Sequence, residues 1–537
     1  MTFDYKKYII SVVIIFSLKI LILGLYPFHH PSEARYAAIA MRMELNNNYL
    51  MPYFDPVTPF FAKPPLAFWA SALSFKVFGF NEFAARLPHL LALAAICFLL
   101  YRCLTKTTDK KTAIISVLIL CSCALFYTLH TVMTEAFLLL AMTMITTSFW
   151  LQLQSQKSKN IDGYLFFFGC IIAMLTKGLV GILMPCLPIF IYLLISARWK
   201  ELWQKFPIFL GTLIFIILGL SWFLAAEIKY PGFLEYFFIG ENLNRFIKPG
   251  WNGDKYGNAH EVPFAMIWYF FIAATLPVIL LFFLTPKQIF FSFLQKISPS
   301  SLQNMPNLIE DSDFFKKNKI YCGSSDLTGA PSNSKLTQSD DKSNLINYTT
   351  KERANPLFLF FFLSFISPLI VLTFMKNMIM TYAIYSLVPF VVLVSIVIAE
   401  KNRYKFITFL AYFTPAIHCL LIILFLTFSD NLAQHLNYQA YLVKQIPASI
   451  LKKGDFILYH LGQRRDIYSL YWYSKDQVQI LNKDNFAVAL TFANPEKYVI
   501  ADLSEYFLLP PKYRLKLQQI TCVKKRHNCL YKLINQS

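Results

Sequence analysis

Two short polar stretches interrupt the apolar start of this chain, and both carry residue types that can handle a phosphate. The first, HPSEARYAAIAMRM (His30 to Met43), sets Glu33 close to Arg35 and Tyr36; the second, FFAKPPLAFW, sets Lys63 before a Pro pair. An Arg fork and a Lys point charge together grip a phosphate and stabilise the negative charge that grows as it departs. A nearby carboxylate can orient a nucleophile or take a hydroxyl proton. Further polar motifs follow: Glu135 in HTVMTEAF, Lys177 in LTKGLVG, Glu241 and Arg245 in GENLNRF, His260 in GNAHEVPF and Lys376 in MKNMIMTY. The set suits group transfer from a lipid-linked phosphate. Glu33 and Glu135 are the candidate catalytic acids; Arg35, Tyr36, Lys63 and Lys376 are the candidate phosphate ligands; Glu241, Arg245 and His260 are further site candidates.

The elements that must position these residues are membrane helices. Of 537 residues 56% are hydrophobic and 15% charged, too apolar for a soluble globular chain, whose apolar share is about 45–50%. Runs long enough to span a bilayer fall at 8–27, 84–103, 112–130, 134–153, 162–177, 179–196, 207–226, 263–284, 356–375, 379–399 and 405–428. The expectation is an all-α polytopic protein with roughly 11–13 transmembrane helices. The first run is followed by no small-residue cleavage site and reads as a retained anchor. With the N-terminus cytoplasmic, the inside segments (Lys6-Lys7, Arg102 to Lys111, Lys157 to Lys159, Arg198 to Lys205, 285–355 and Lys401 to Lys405) are all basic, as the positive-inside rule requires. The net charge of +20 therefore reports orientation and attraction to anionic lipid and not a nucleic-acid partner.

That trace puts the polar motifs on the external side, at headgroup height, where charge is costly and functional by default. Residues 28–83 are too polar to cross, yet EARYAAIAMRMEL and KPPLAFWASALSFKVFG read as two helices lying on the bilayer surface. Bland roles compete at single positions: Lys177 and Lys376 as snorkelling anchors, Glu135 as a helix N-terminal charge, His260 as an exposed loop residue. No charge is expected in mid-span and no internal repeat is evident, which argues against a transporter. Residues 296–354, rich in Ser, Asn, Asp and Lys, are expected to form a disordered cytoplasmic insertion. After residue 430 short alternating runs such as KYVIADL and FAVALTF predict strands of a small external α/β domain. The ten cysteines show no metal-ligand spacing; Cys522 and Cys529 flank a basic turn and are expected to form a disulfide in an oxidising compartment.

SEARYAAIAMRM, FFAKPPLAFWASALSFKVFGFNEFAARLP, LTKGLVGILMP, PGFLEYFFIGENLNRF, HEVPF and TYAIYSLVP occur in this order and resemble the GT-C integral-membrane glycosyltransferases, which include bacterial aminoarabinose transferases of lipid A and protein O-mannosyltransferases. The resemblance covers residues 1–430 in patches. It implies a multi-pass protein of the bacterial inner membrane with its active site facing the periplasm, an undecaprenyl-phosphate-linked sugar donor and an envelope acceptor (lipid A, glycan or protein). It also implies a division into a transmembrane glycosyltransferase domain, 1–430, and a periplasmic C-terminal domain, 431–537. Three positions depart from the family pattern: Ser32 stands where an Asp is customary, Ala62 where an acid often precedes KPP, and Glu135 where an Asp is usual. Ala62 weakens any divalent-metal site carried over from the family, and no cofactor is firmly implied. A polyprenyl-lipid flippase and a catalytically silent lipid-binding relative are the alternative readings.

Overall fold

The computed structural model describes residues 3–28, 31–158, 160–256, 260–283, 356–400, 404–428, 437–453, 456–461, 467–481, 496–523 and 528–534. The expected insertion 296–354 and the expected strand FAVALTF lie outside the described residues. Every one of the apolar runs holds a helix. Among the described residues seven helices are long and apolar enough to cross a membrane: Glu82–Thr107, Glu135–Gln154, Leu179–Ser196, Ile208–Lys229, Pro356–Thr373, Met380–Glu400 and Tyr404–Thr427. The protein is therefore a multi-pass membrane protein.

The remaining four runs fall short for identifiable reasons. Helix α1, Tyr5–Ile22, carries Lys6, Lys7 and Lys19. The run 112–130 divides into α5, Lys110–Ser122, and α6, Ala124–Thr128, because Cys123 adopts extended backbone. The run 263–284 divides into Met266–Thr275 and Val278–Phe283 at Leu276, a residue that the following proline pushes out of the helical region. Helix α8, Ile161–Lys177, has 17 residues. Side-chain caps fix several starts: Asn81 accepts from Ala84 N at the head of α4, Glu82–Thr107, and Asp109 accepts from Thr112 N at the head of α5. Helix α7, Glu135–Gln154, and the helix Ile384–Glu400 are enclosed almost throughout. Ile208–Lys229 and Tyr404–Thr427 instead turn large apolar side chains outward, as lipid-facing helices do.

The expectation of no mid-span charge is corrected by α1. Lys19 is buried in it, donating to the Tyr127 carbonyl at 2.9 Å and lying 4.7 Å from that residue's ring. A carbonyl and a π face offset the cost of its desolvation.

The first long loop, expected to be external, supplies the two expected helices, α2, Ser32–Leu45, and α3, Leu66–Phe78. Their setting differs from the surface-lying pair that was expected. Helix α2 is enclosed on nearly all sides from Glu33 to Met43, because Ala34, Ala37, Ala38 and Ala40 let α3 and a C-terminal helix, Tyr468–Tyr473, approach closely. The C-terminal strands β1, Phe456–Leu461, β2, Val478–Leu481, β3, Glu496–Asp502, β4, Leu517–Val523, and β5, Asn528–Leu533, form one sheet in the order β2-β1-β3-β5-β4. Parallel β2-β1-β3 is followed by antiparallel β5 and β4. KYVIADL supplies β3. Cys522 and Cys529 stand opposite each other on β4 and β5 and form the expected disulfide. Arg42 of α2 clamps Asp476, at the turn before β2, through both carboxylate oxygens, and donates its remaining nitrogen to the Tyr53 carbonyl at 2.7 Å.

Candidate active site at a cation cluster beside an apolar groove

Glu33 and Arg35 stand two residues apart on α2, and residues two apart on a helix do not face each other. Glu33 turns inward, where Arg86 of α4 meets it with Nε and Nη2 at 2.7 and 2.9 Å. The Val132 N–H adds a third bond at 3.1 Å. Arg86 is fully buried and spends its other donors on the carbonyls of Leu23, Tyr26 and Pro27. This pair therefore ties the end of α1, the start of α2, α4 and the segment before α7 together. Sequence reasoning missed Arg86 because it lies inside the apolar run of α4; a guanidinium about one turn into a membrane helix was itself the available signal.

Arg35 points the other way. Its Nη1 donates to the Tyr256 carbonyl at 3.1 Å, its guanidinium lies 5.5 Å from the Tyr36 ring and 5.4 Å from the Tyr468 ring, and its buried Nε has no partner among the described residues. Burial raises the Tyr36 hydroxyl pKa, opposed by Arg35, and Glu135, Lys177 and Glu241 act electrostatically on the same hydroxyl. That shared influence marks one site fed by four elements, α2, α7, α8 and the π-helix that holds Glu241.

Lys63 stands just before α3 and donates to Glu241 at 2.7 Å. Glu241 lies in the π-helix Tyr236–Asn244 and accepts on the same oxygen, Oε1, from Arg245; its Oε2 is buried without a hydrogen-bond partner among the described residues. Arg245 also faces Asp254 at 3.3 Å. Burial pulls the Lys63 ammonium below its usual range, with Glu241 opposing. Burial pushes the Glu241 carboxyl up, but Lys63 and Arg245 more than offset this and hold it below its usual value. Lys177 and Arg245 act in turn on Lys63, so the two halves of the site are electrically continuous.

Glu135 opens α7 and is buried, yet its contacts are long: Thr134 Oγ1 at 3.4 Å, Thr381 Oγ1 at 3.5 Å and Lys177 Nζ at 3.7 Å. Lys177, the last residue of α8, also lies 5.4 Å from the Tyr382 ring. The next residue, Gly178, has φ +72°, and a Cβ there would come within 2.6 Å of the Phe237 ring of the π-helix. Only glycine lets α8 turn into α9, Leu179–Ser196, while the π-helix lies this close to Lys177.

The end of the same π-helix and the turn that follows it, Arg245–Ile247, form one wall of an apolar groove of about 470 Å³. Leu243, Phe246 and Ile247 face Leu183, Leu187 and Phe190 of α9, with Val371 and Met375 closing the third side. Phe246 packs 5.9 Å from Tyr382, which leads from the groove to Lys177 and Glu135.

His260 and Lys376 are placed differently from the other candidates. Their backbones pair in a short ladder, with Met378 N donating to His260 O and Val262 N to Lys376 O, both at 3.0 Å. Both side chains are exposed and make no hydrogen bond or ion pair with a described residue. The neighbouring Asn377 is buried and donates to the carbonyls of Arg245 and Lys248, so the ladder steadies the Arg245 segment. Asn377, Asp254 and Tyr382 were not singled out from sequence, since each acts through contacts remote along the chain. Among the described residues no three His, Cys, Asp or Glu side chains converge as a metal-ligand set, and position 62 offers only Ala.

Residues 62–223, which hold Lys63, Arg86, Glu135 and Lys177, match the family described as dolichyl-phosphate-mannose-protein mannosyltransferase. Among curated proteins, the undecaprenyl phosphate-alpha-4-amino-4-deoxy-L-arabinose arabinosyl transferase of Enterobacter sp. (strain 638) is 30% identical over 260 residues, 46% of this chain and 44% of that protein. The protein of the same description from Erwinia tasmaniensis is 27% identical over 281 residues, 51% of this chain and 48% of that one. The chain thus spans about half the length of the curated relatives it matches. In fold it is similar to ArnT from Cupriavidus metallidurans bound to undecaprenyl phosphate, with a TM-score of 0.66 at 14% identity, covering 99% of this chain and 98% of that one. In sequence over part of its length, and in fold over nearly all of it, the chain is similar to integral-membrane glycosyltransferases.

Proposed function

We propose that the protein transfers a sugar from a polyprenyl-phosphate-linked donor to an envelope acceptor at the periplasmic face of the bacterial inner membrane. The observation that carries this reading is the junction of the apolar groove with Lys63, Arg245 and Lys177 on the two sides of one π-helix. An isoprenoid tail fits the groove, while Arg245 supplies a fork and Lys63 a point charge for the phosphate. As the bond from the anomeric carbon to the phosphate oxygen breaks, its electron pair stays on the phosphate, where these cations stabilise it. The acceptor oxygen then bonds to that carbon. With a hydroxyl acceptor its proton goes to Glu135, the buried acid held only by long contacts; an ionised phosphate acceptor needs no base.

Arg35 and Tyr36 face this site from α2, beside Tyr256 and Tyr468, and are assigned to donor and acceptor positioning. Glu33, committed to Arg86, is assigned to holding α2 and not to proton transfer. The basic inside segments and the Cys522–Cys529 bond support a periplasmic site and C-terminal domain, with the catalytic body at 1–430 and the external domain at 431–537. Lipid A is the first acceptor to test, and undecaprenyl phosphate carrying 4-amino-4-deoxy-L-arabinose the first donor, because the similar curated proteins bear that donor in their description. The test is transfer of a mass-tagged sugar from such a donor by the purified protein. Glu135→Gln is expected to lower turnover about a hundredfold or more at unchanged melting temperature, and a donor that is translocated across vesicles without being consumed overturns the reading in favour of a flippase.

A further inference from the structure

Glu241 occupies the place that a donor phosphate needs. One of its oxygens already takes a hydrogen bond from Lys63 and another from Arg245, while the second oxygen is buried with no hydrogen-bond partner among the described residues. Asp254 sits on the far side of Arg245. The three cations Lys63, Arg245 and Lys177 are thus matched by the three carboxylates Glu241, Asp254 and Glu135 before any ligand arrives. A site meant only to hold phosphate tightly has no use for a buried acid in its grip.

We propose that Glu241 is a resident anion that sorts the site's ligands by charge, accepting the singly charged phosphodiester donor and expelling the more highly charged phosphomonoester product. The inference rests on the proposed glycosyl transfer. That reaction breaks the sugar carbon–oxygen bond and leaves its electron pair on phosphorus-bound oxygen, so a diester of charge −1 becomes a monoester. A phosphomonoester's second pKa is about 6, which gives it a charge of about −1.5 to −2 at pH 7. A fixed carboxylate in a poorly solvated site repels that added charge. Release of the lipid product, which otherwise retains every contact of tail and phosphate, is thereby favoured. The lodging of Glu241 in a π-helix fits this role, since such wide turns recur at functional sites.

The groups facing Glu241 are Lys63 from the loop before α3, Arg245 and Asp254 from the segment after the π-helix, and the hydroxyls of Tyr36, Tyr236 and Tyr256. The tyrosines are all shifted upward and the Glu241 carboxyl downward, so between pH 5.5 and 8 none of these four changes charge. A change in the charge of Lys63 acts more strongly on the monoester than on the diester, because the Coulomb energy scales with ligand charge, so the comparison of Glu241→Gln with the parent at one fixed pH isolates the carboxylate.

The test is binding of a short polyprenyl phosphate and of its methyl diester to the detergent-solubilised full chain, at pH 5.5 and pH 8. The parent is expected to prefer the diester at pH 8 and to lose that preference at pH 5.5. Glu241→Gln should tighten the monoester about tenfold or more at pH 8, from Coulomb repulsion of up to one charge at about 6 Å, with the diester changed less than about threefold. Glu241→Asp keeps the charge and should keep the parent's preference, which guards against reading a misfolded variant. Equal effects of Glu241→Gln on both esters, or a Glu241→Asp that behaves like it, overturn charge sorting while leaving lipid-phosphate binding intact. A parent protein that binds neither ester overturns the proposed function and this inference with it.

Discussion

Replacing Glu33 by Gln tests the assignment on which the architecture of the site depends most. In the folded protein Glu33 and Arg86 share two hydrogen bonds, both side chains are buried, and the Val132 N–H completes the carboxylate. Gln keeps the shape but sets an NH2 group against one of the Arg86 nitrogens and strands the guanidinium with carbonyls alone. Breaking a buried pair from one side costs about 3–5 kcal/mol, and Arg86→Met should cost a similar amount from the other. The double variant removes both charges, so it should be no less stable than the worse single variant, against a simple sum of roughly 6–10 kcal/mol. Thermal melting of the four proteins in detergent, with transfer measured on the same preparations, reads this cycle. Activity is expected to fall in step with loss of fold. A Glu33→Gln protein that melts with the parent yet transfers no sugar refutes the clamp and returns Glu33 to the chemistry.

Lys63→Ala and Arg245→Ala should each raise the barrier to transfer by about 2–4 kcal/mol, the range for losing one preorganised donor at a developing anion; parent-like turnover in either removes that residue from the phosphate site. Arg245→Lys should also fail to restore transfer, since a point charge does not replace a fork. Gly178→Ala forces a Cβ against the Phe237 ring at 2.6 Å and keeps a left-handed φ, for which about 1–3 kcal/mol of destabilisation is expected; an unchanged melting temperature shows the π-helix free to retreat. Because the Glu241 carboxyl is held below its ordinary value of 4.5, its contribution to stability is complete above that value and is lost as pH falls through the depressed native one. Glu241→Gln should flatten this part of the acid-melting profile, and an unaltered acid limb counts against the Lys63–Glu241–Arg245 cluster.

The apolar runs were legible because twenty-residue hydrophobic periods have few other uses, and their placement agrees with the helices of the fold. Their interruptions were harder to read: Pro277 was a visible breaker, whereas nothing in CSCALF marks the extended backbone of Cys123. The disulfide was readable because Cys522 and Cys529 sit on neighbouring strands of one hairpin. Partner choice was not readable at Glu33, whose true neighbour lies 53 residues away on α4 while the adjacent Arg35 points elsewhere. Lys63, a phosphate candidate, and Arg245, a further site candidate, were recognised as polar residues in an apolar setting, but that one carboxylate bridges them depends on a π-helix, and widening a helical turn leaves no periodic mark in so short a segment. The enclosure of α2 was hidden for a similar reason, because its alanines read as helix formers until α3 and the helix Tyr468–Tyr473 are placed against them.

The clamp between Arg42 and Asp476 joins residues 434 positions apart, and this has a consequence for biosynthesis. At about 5–20 residues per second, Arg42 waits roughly 20–90 s after its own synthesis for its counter-ion to be made. Throughout that interval the surface of α2 that will meet the helix Tyr468–Tyr473 is uncovered, and Arg35 lacks the ring of Tyr468 against which it lies. The membrane helices can thus pack while this face of α2 is still incomplete. A nascent chain stalled before Asp476 is therefore expected to be membrane-integrated and protease-sensitive at α2, with Arg35 not yet held against Tyr468.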